Sequence, residues 1–168
     1  MDKALAILCI VVMLAIIISG ELYLKMDKNK SLALLFLKKM DDGLKKWLSV
    51  ADRLFALDSV DSGAREQYSK LIAEYGSIKK RHSYKKVSVI CQIYDLVKNV
   101  ISENTANPEI SALGREFTLA YLDFSHLQSE YNACTSKLNA SLNKTISGTI
   151  GKITRLRPLD KLPELSVL

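Results

Sequence analysis

The chain has 168 residues, 24 Lys and Arg against 18 Asp and Glu, and a formal charge of +6. Its length suits a single domain, and three scattered cysteines with no CxxC exclude a legible disulfide framework or a cysteine-built metal site. The moderate basic excess suggests attraction to an anionic lipid surface before nucleic acid, which wants a wider basic face or a recognised motif.

Residues 4–20, ALAILCIVVMLAIIISG, form one uncharged apolar block. As a helix they reach ~25 Å, and continuing to Leu24 brings them close to the ~30 Å thickness of a bilayer core. The alternative is a cleaved secretory signal. Asp2 and Lys3 give the start little net charge, and Ile18 fits poorly two positions before Gly20 in a small-x-small cleavage site. Cys9 lies inside the block, not after it, so a lipoprotein anchor fails as well. Residues 1–24 are therefore expected to be a single transmembrane anchor. Lys3 precedes it, whereas Lys25, Lys28, Lys30, Lys38 and Lys39 follow, which puts the rest of the protein in the cytoplasm by the positive-inside bias.

Just beyond, Leu32 to Leu37 reads LALLFL, apolar all round, which predicts partial burial or a contact with another subunit. Four helical stripes follow. The first is Phe36, Met40, Leu44, Trp47, Ala51 and Leu54; the second is Ala64, Tyr68, Leu71, Tyr75 and Ile78. Between them, DSVDSG at 58–63 consists of turn formers around Val60. The third stripe is Val87, Ile90, Tyr94, Val97 and Ile101. The fourth runs from Ile110 through Leu113, Phe117, Ala120, Phe124, Leu127, Tyr131 and Cys134 to Leu138, alternating steps of 3 and 4. That period of 3.5 keeps one seam towards a partner helix. Asn107, Pro108 and Glu109 supply a cap, a first-turn proline and a first-turn acid, so a long helix should begin there. Residues 79–86, KKRHSYKK, hold no Gly or Pro, leaving the second and third stripes as one bent helix or two.

Short connections favour antiparallel neighbours. The expected fold is all-α: an N-terminal transmembrane helix leading into an up-and-down bundle of about four helices over residues 25–145. Residues 146–168 hold Gly148, Gly151, Pro158 and Pro163, which predict a loosely ordered amphipathic tail. Its Lys152, Arg155, Arg157 and Lys161, interleaved with Ile and Leu, would rest on lipid headgroups or pack back on the bundle.

Late in the fourth stripe, Tyr131 and Asn132 are followed seven residues on by Leu138 and Asn139, in YNACTSKLN, before an apolar, Gly-containing stretch ending in RP. This arrangement resembles the LemA family, whose members carry an N-terminal span, a helical bundle and two Tyr-Asn pairs seven apart. The upstream run NPEISALGREFTLAYLDFSHLQSEYN is similar to that family's approach to the first pair. Leu138 stands where the family's second pair has Tyr, and the Phe-Pro that follows is absent, as in a divergent member. The resemblance implies a bacterial inner-membrane location and assigns no catalytic residue. In physical terms, Asn132 and Asn139 flank the seam, where an amide can hydrogen-bond to a neighbouring helix and fix register, with binding of a partner by the same polar strip as the alternative.

Candidate chemistry is sparse. No HExxH, phosphate loop, nucleophile elbow or cysteine-rich metal spacing occurs, so no catalytic, cofactor-binding or metal residue is assigned and an enzyme is not expected. His126 and Glu130, one helical turn apart, could give two metal ligands, but a surface hydrogen bond is the commoner reading. Lys79, Lys80, Arg81, Lys85 and Lys86 form the densest basic cluster, read as a solvated junction or a contact for lipid or an acidic protein. The chain is thus expected to be a membrane-anchored scaffold or interaction module. Its partners would be the lipid bilayer and a membrane or cytoplasmic protein, with a homo-oligomer as an alternative and no nucleic acid. A metal- or ligand-dependent enzyme or factor with a site between helices is the rival from another class.

Overall fold

The computed structural model describes residues 3–79 and 84–162. Those residues form five helices and no strand: α1 (Lys3–Phe55), α2 (Ser62–Ser77), α3 (Tyr84–Glu103), α4 (Pro108–Leu142) and α5 (Thr145–Ile153). The predicted all-α class is what forms. The first bundle helix also leads directly out of the apolar block, since α1 is one continuous helix through both.

Local chemistry sets the helix starts. The Asp61 carboxylate accepts from the Gly63 and Ala64 amides at 2.8 and 3.2 Å and opens α2. Asn107 Oδ1 accepts from the amides of Glu109 and Ile110 at 2.9 and 3.3 Å, capping α4 where the sequence places its start. The second and third stripes are two helices packed on each other. Of the junction between them, Lys80 to Ser83 lie outside the described residues.

The chain divides into two compact units: Met1–Leu37 with Glu130–Lys161, and Lys38–Ser129 with Leu162–Leu168. The second is an antiparallel bundle of the C-terminal part of α1, α2, α3 and the N-terminal part of α4. Trp47 of α1 lies 4.9 Å from Phe117 and 6.2 Å from Tyr121, while Gly43 sits against Phe124 and Leu127. The numbering on α4 falls as that on α1 rises, so the two run antiparallel. Tyr94 of α3 joins the same aromatic core, 5.9 Å from Phe117 and 4.3 Å from Tyr121. Such ring contacts add about 0.5–1.5 kcal/mol each beyond burial. Phe55 stacks on Tyr68 at 4.2 Å, and the Tyr68 hydroxyl donates to Asp52 at 2.6 Å, fastening α2 to α1.

On α3 the buried face is broader than the predicted stripe. Val89, Ile93, Leu96 and Val100 are buried along with Ile90 and Val97. A helix packed on more than one neighbour buries more than one stripe.

The first unit holds the apolar block, α5 and a small core of Met26, Leu138 and Leu156, with Tyr23, Leu142, Ile150 and Leu159 packed against it. Here the structure corrects the expectation of a loose tail. Although Gly148 and Gly151 weaken a helix, α5 forms because both glycines lie against Leu142. A Cβ at Gly148 would stand 2.5 Å from the Leu142 carbonyl oxygen, and one at Gly151 would meet the Leu142 side chain. Within LALLFL, Ala33 is buried and Leu32, Phe36 and Leu37 are half-buried, whereas Leu34 and Leu35 remain exposed.

Candidate functional site

From Leu5 to Ile18 every large apolar side chain of α1 is exposed, and α1 is long and apolar enough to cross a membrane. None of its most apolar window is buried against the protein.

The Tyr-Asn region lies in the same unit, and it does something other than the predicted helix-to-helix register. Tyr131 is buried and its hydroxyl donates to the Asp160 carbonyl at 2.8 Å. Asn139 donates through Nδ2 to the Leu159 carbonyl at 2.8 Å and accepts from the Leu159 amide at 3.1 Å. Leu138, between them, is fully buried with Met26 and Leu156. Asn132 is buried too, and its carbonyl accepts from the Ser136 hydroxyl at 2.7 Å. Three of the four motif residues thus hold the segment after α5. The partner is the non-helical backbone after α5 instead of a helix, because the chain reverses there and brings Leu159 and Asp160 back to α4.

That reversal has its own device. Arg155, with φ 56°, takes the left-handed conformation, and the Leu156 amide donates to the Gly151 carbonyl at 2.8 Å while the Arg155 amide donates to Lys152 at 3.3 Å. These paired bonds satisfy the last carbonyls of α5, and Leu156 then packs against Ile150 in the small core.

The basic cluster is only partly a free surface. Lys86 lies over the Tyr75 ring, 4.2 Å from its centre, and donates to the Ile78 carbonyl at 3.5 Å. Lys85 pairs with Glu74 at 3.6 Å, and Lys79 is exposed. Two of the five cations therefore tie α3 to the end of α2. Lys80 and Arg81 lie outside the described residues.

Beside Lys86 opens a cavity of about 250 Å³ whose walls include Met40, Leu44, Val87, Ile90 and Phe124, with Asp41, Tyr75 and Gln128 as polar members. Sequence reading missed it, because a gap among four helices has no signature on any one of them. Its volume falls just below the usual ~300–1,000 Å³ of ligand pockets.

Titratable groups in the bundle follow burial. Burial, then the charges of Tyr94, Cys91 and Asp95, push Tyr121 up to about 12. Burial and Asp95 also raise the Cys91 thiol above its ordinary value, the opposite of nucleophile activation. His126 is exposed, and no group of three metal-ligating side chains occurs among the described residues. No family model, curated protein or solved structure matches the chain.

Proposed function

We propose that the chain is a single-pass membrane protein whose helical bundle serves as a scaffold or interaction module. The observation that carries this reading is the fully exposed apolar run of α1, continuous with a bundle whose core is buried. The span raises the local concentration of the bundle at the bilayer, and a packed bundle presents fixed faces to a partner. The lysines after the run and the single Lys before it favour a cytoplasmic bundle. The likeness of YNACTSKLN to the LemA pairs favours a bacterial inner membrane. Leu119 and Leu122, exposed on α4, supply apolar contact area on the bundle.

Crosslinking of the full chain in intact cells, followed by identification of the attached proteins, tests this. A reproducible partner set, absent from an unrelated single-pass control, is expected. Recovery of the chain alone, or stoichiometric metal copurifying with it, would overturn the reading.

A further inference from the structure

The membrane-proximal unit carries a groove of roughly 650 Å³ between α1 and the end of α4. Lys25 and Lys28 line one side, Lys137 and Lys144 the other, with Asn29 and Ser141 as further hydrogen-bonding groups. No carboxylate lines it, and none of the four lysines is engaged in an ion pair among the described residues. Four cationic side chains with no carboxylate among them make the lining complementary to an anion.

The depth of the groove narrows the choice of anion. Lys25 directly follows Leu24, the last apolar residue of the span, and Lys28 lies ~5 Å further along the helix, within the ~5–8 Å occupied by headgroups. Lys144 adjoins α5, whose Ile146 and Ile153 are 66% and 77% exposed. These two are seven residues apart, hence on one helix face. Ile150, by contrast, turns to the small core. An exposed apolar edge next to a cationic groove, at the level where the span ends, matches a surface that is fatty below and phosphorylated above.

We propose that this groove binds the phosphate-bearing headgroup of an anionic phospholipid from the leaflet in which the apolar span of α1 ends. The proposal rests on the membrane-anchored reading. Lys25 and Lys28 engage the headgroup from the span side, and Lys137 on α4 and Lys144 at the start of α5 face it from the other. The ligand then holds together two segments more than a hundred residues apart in sequence.

The test uses the purified full chain in nanodiscs of equimolar phosphatidylglycerol and phosphatidylcholine. Native mass spectrometry after release into mild detergent counts the lipids retained. Wild type should retain phosphatidylglycerol in preference to phosphatidylcholine. K137Q/K144Q should retain roughly 25-fold less, while K137R/K144R and the control K45Q/K46Q keep wild-type retention. Lys137 and Lys144 are chosen because they lie far from the span in sequence, so their loss leaves membrane insertion intact. Circular dichroism should show equal helicity in all variants, and a K137Q/K144Q chain that loses helicity is replaced by the single variants, each expected to lose about fivefold. Equal retention of both lipids, or unchanged retention in the Gln variants of a membrane-embedded chain, overturns the groove alone. Release of wild type from membranes by alkaline carbonate overturns the anchored reading with it. Binding of inorganic phosphate in detergent as tightly as phosphatidylglycerol overturns the lipid assignment in favour of a soluble anion.

Discussion

The carboxamide of Asn139 pairs with the backbone of Leu159 through both of its hydrogen-bonding atoms, donating at 2.8 Å and accepting at 3.1 Å. A side-chain amide here does for one residue's backbone what a neighbouring strand would do, and it uses both of its functional groups at once. Only Asn has this pair of groups at this length. Asn139→Ala should therefore cost about 1–3 kcal/mol, since both Leu159 groups lose their partner. Asn139→Asp keeps the acceptor for the Leu159 amide and should cost less. Hydrogen exchange gives the sharper readout: the Leu159 amide should be protected in wild type and N139D, and exchange quickly in N139A. Equal protection in all three would show that the pairing does not hold the segment.

Arg155 occupies the left-handed region, with φ 56°, at the end of α5. A side chain there costs about 1 kcal/mol relative to Gly, and Arg155 is exposed, so little contact is lost on its removal. Arg155→Gly should raise stability by roughly 0.5–1 kcal/mol, measured as an upward shift in the thermal midpoint. Arg155→Val should lower it, because a β-branched residue resists positive φ. A destabilised R155G would mean that the turn is not built as described.

Tyr68 is buried and donates to Asp52 at 2.6 Å. Burial first, then that hydrogen bond and the Asp52 charge, raise its phenol above the ordinary value of 10.0. The folded state thus holds a proton that the unfolded chain releases at its ordinary value. The resulting stability is fully present below pH 10 and is lost as pH rises beyond it. Tyr121, raised to about 12, adds to the same alkaline loss. Denaturant unfolding across alkaline pH should show a decline that begins near pH 10 and becomes shallower in Tyr68→Phe. An unchanged slope in Y68F would assign the decline to other groups.

Much of the fold was legible because helices announce themselves through spacing. The stripe from Ile110 to Leu138 is buried at every position except Leu127, which is half-buried. Asn107 caps α4 as its side-chain chemistry requires. What stayed hidden depended on residues distant in sequence. Gly148 and Gly151 look like helix breakers until Leu142 is seen against them. Tyr131 and Asn139 look like residues of a helix seam until the chain returns at 159–160 to meet them. Lys137 and Lys144 carry no signal alone and acquire one only opposite Lys25 and Lys28.

The apolar run of α1 is proposed to remain in a bilayer while the packed helices stand outside it. The direct measurement is an alkaline carbonate wash of membranes carrying the full chain, followed by the intact mass of the recovered protein. The chain should stay with the membranes at its full-length mass. Recovery in the wash, or a mass lacking the segment up to Gly20, would contradict it.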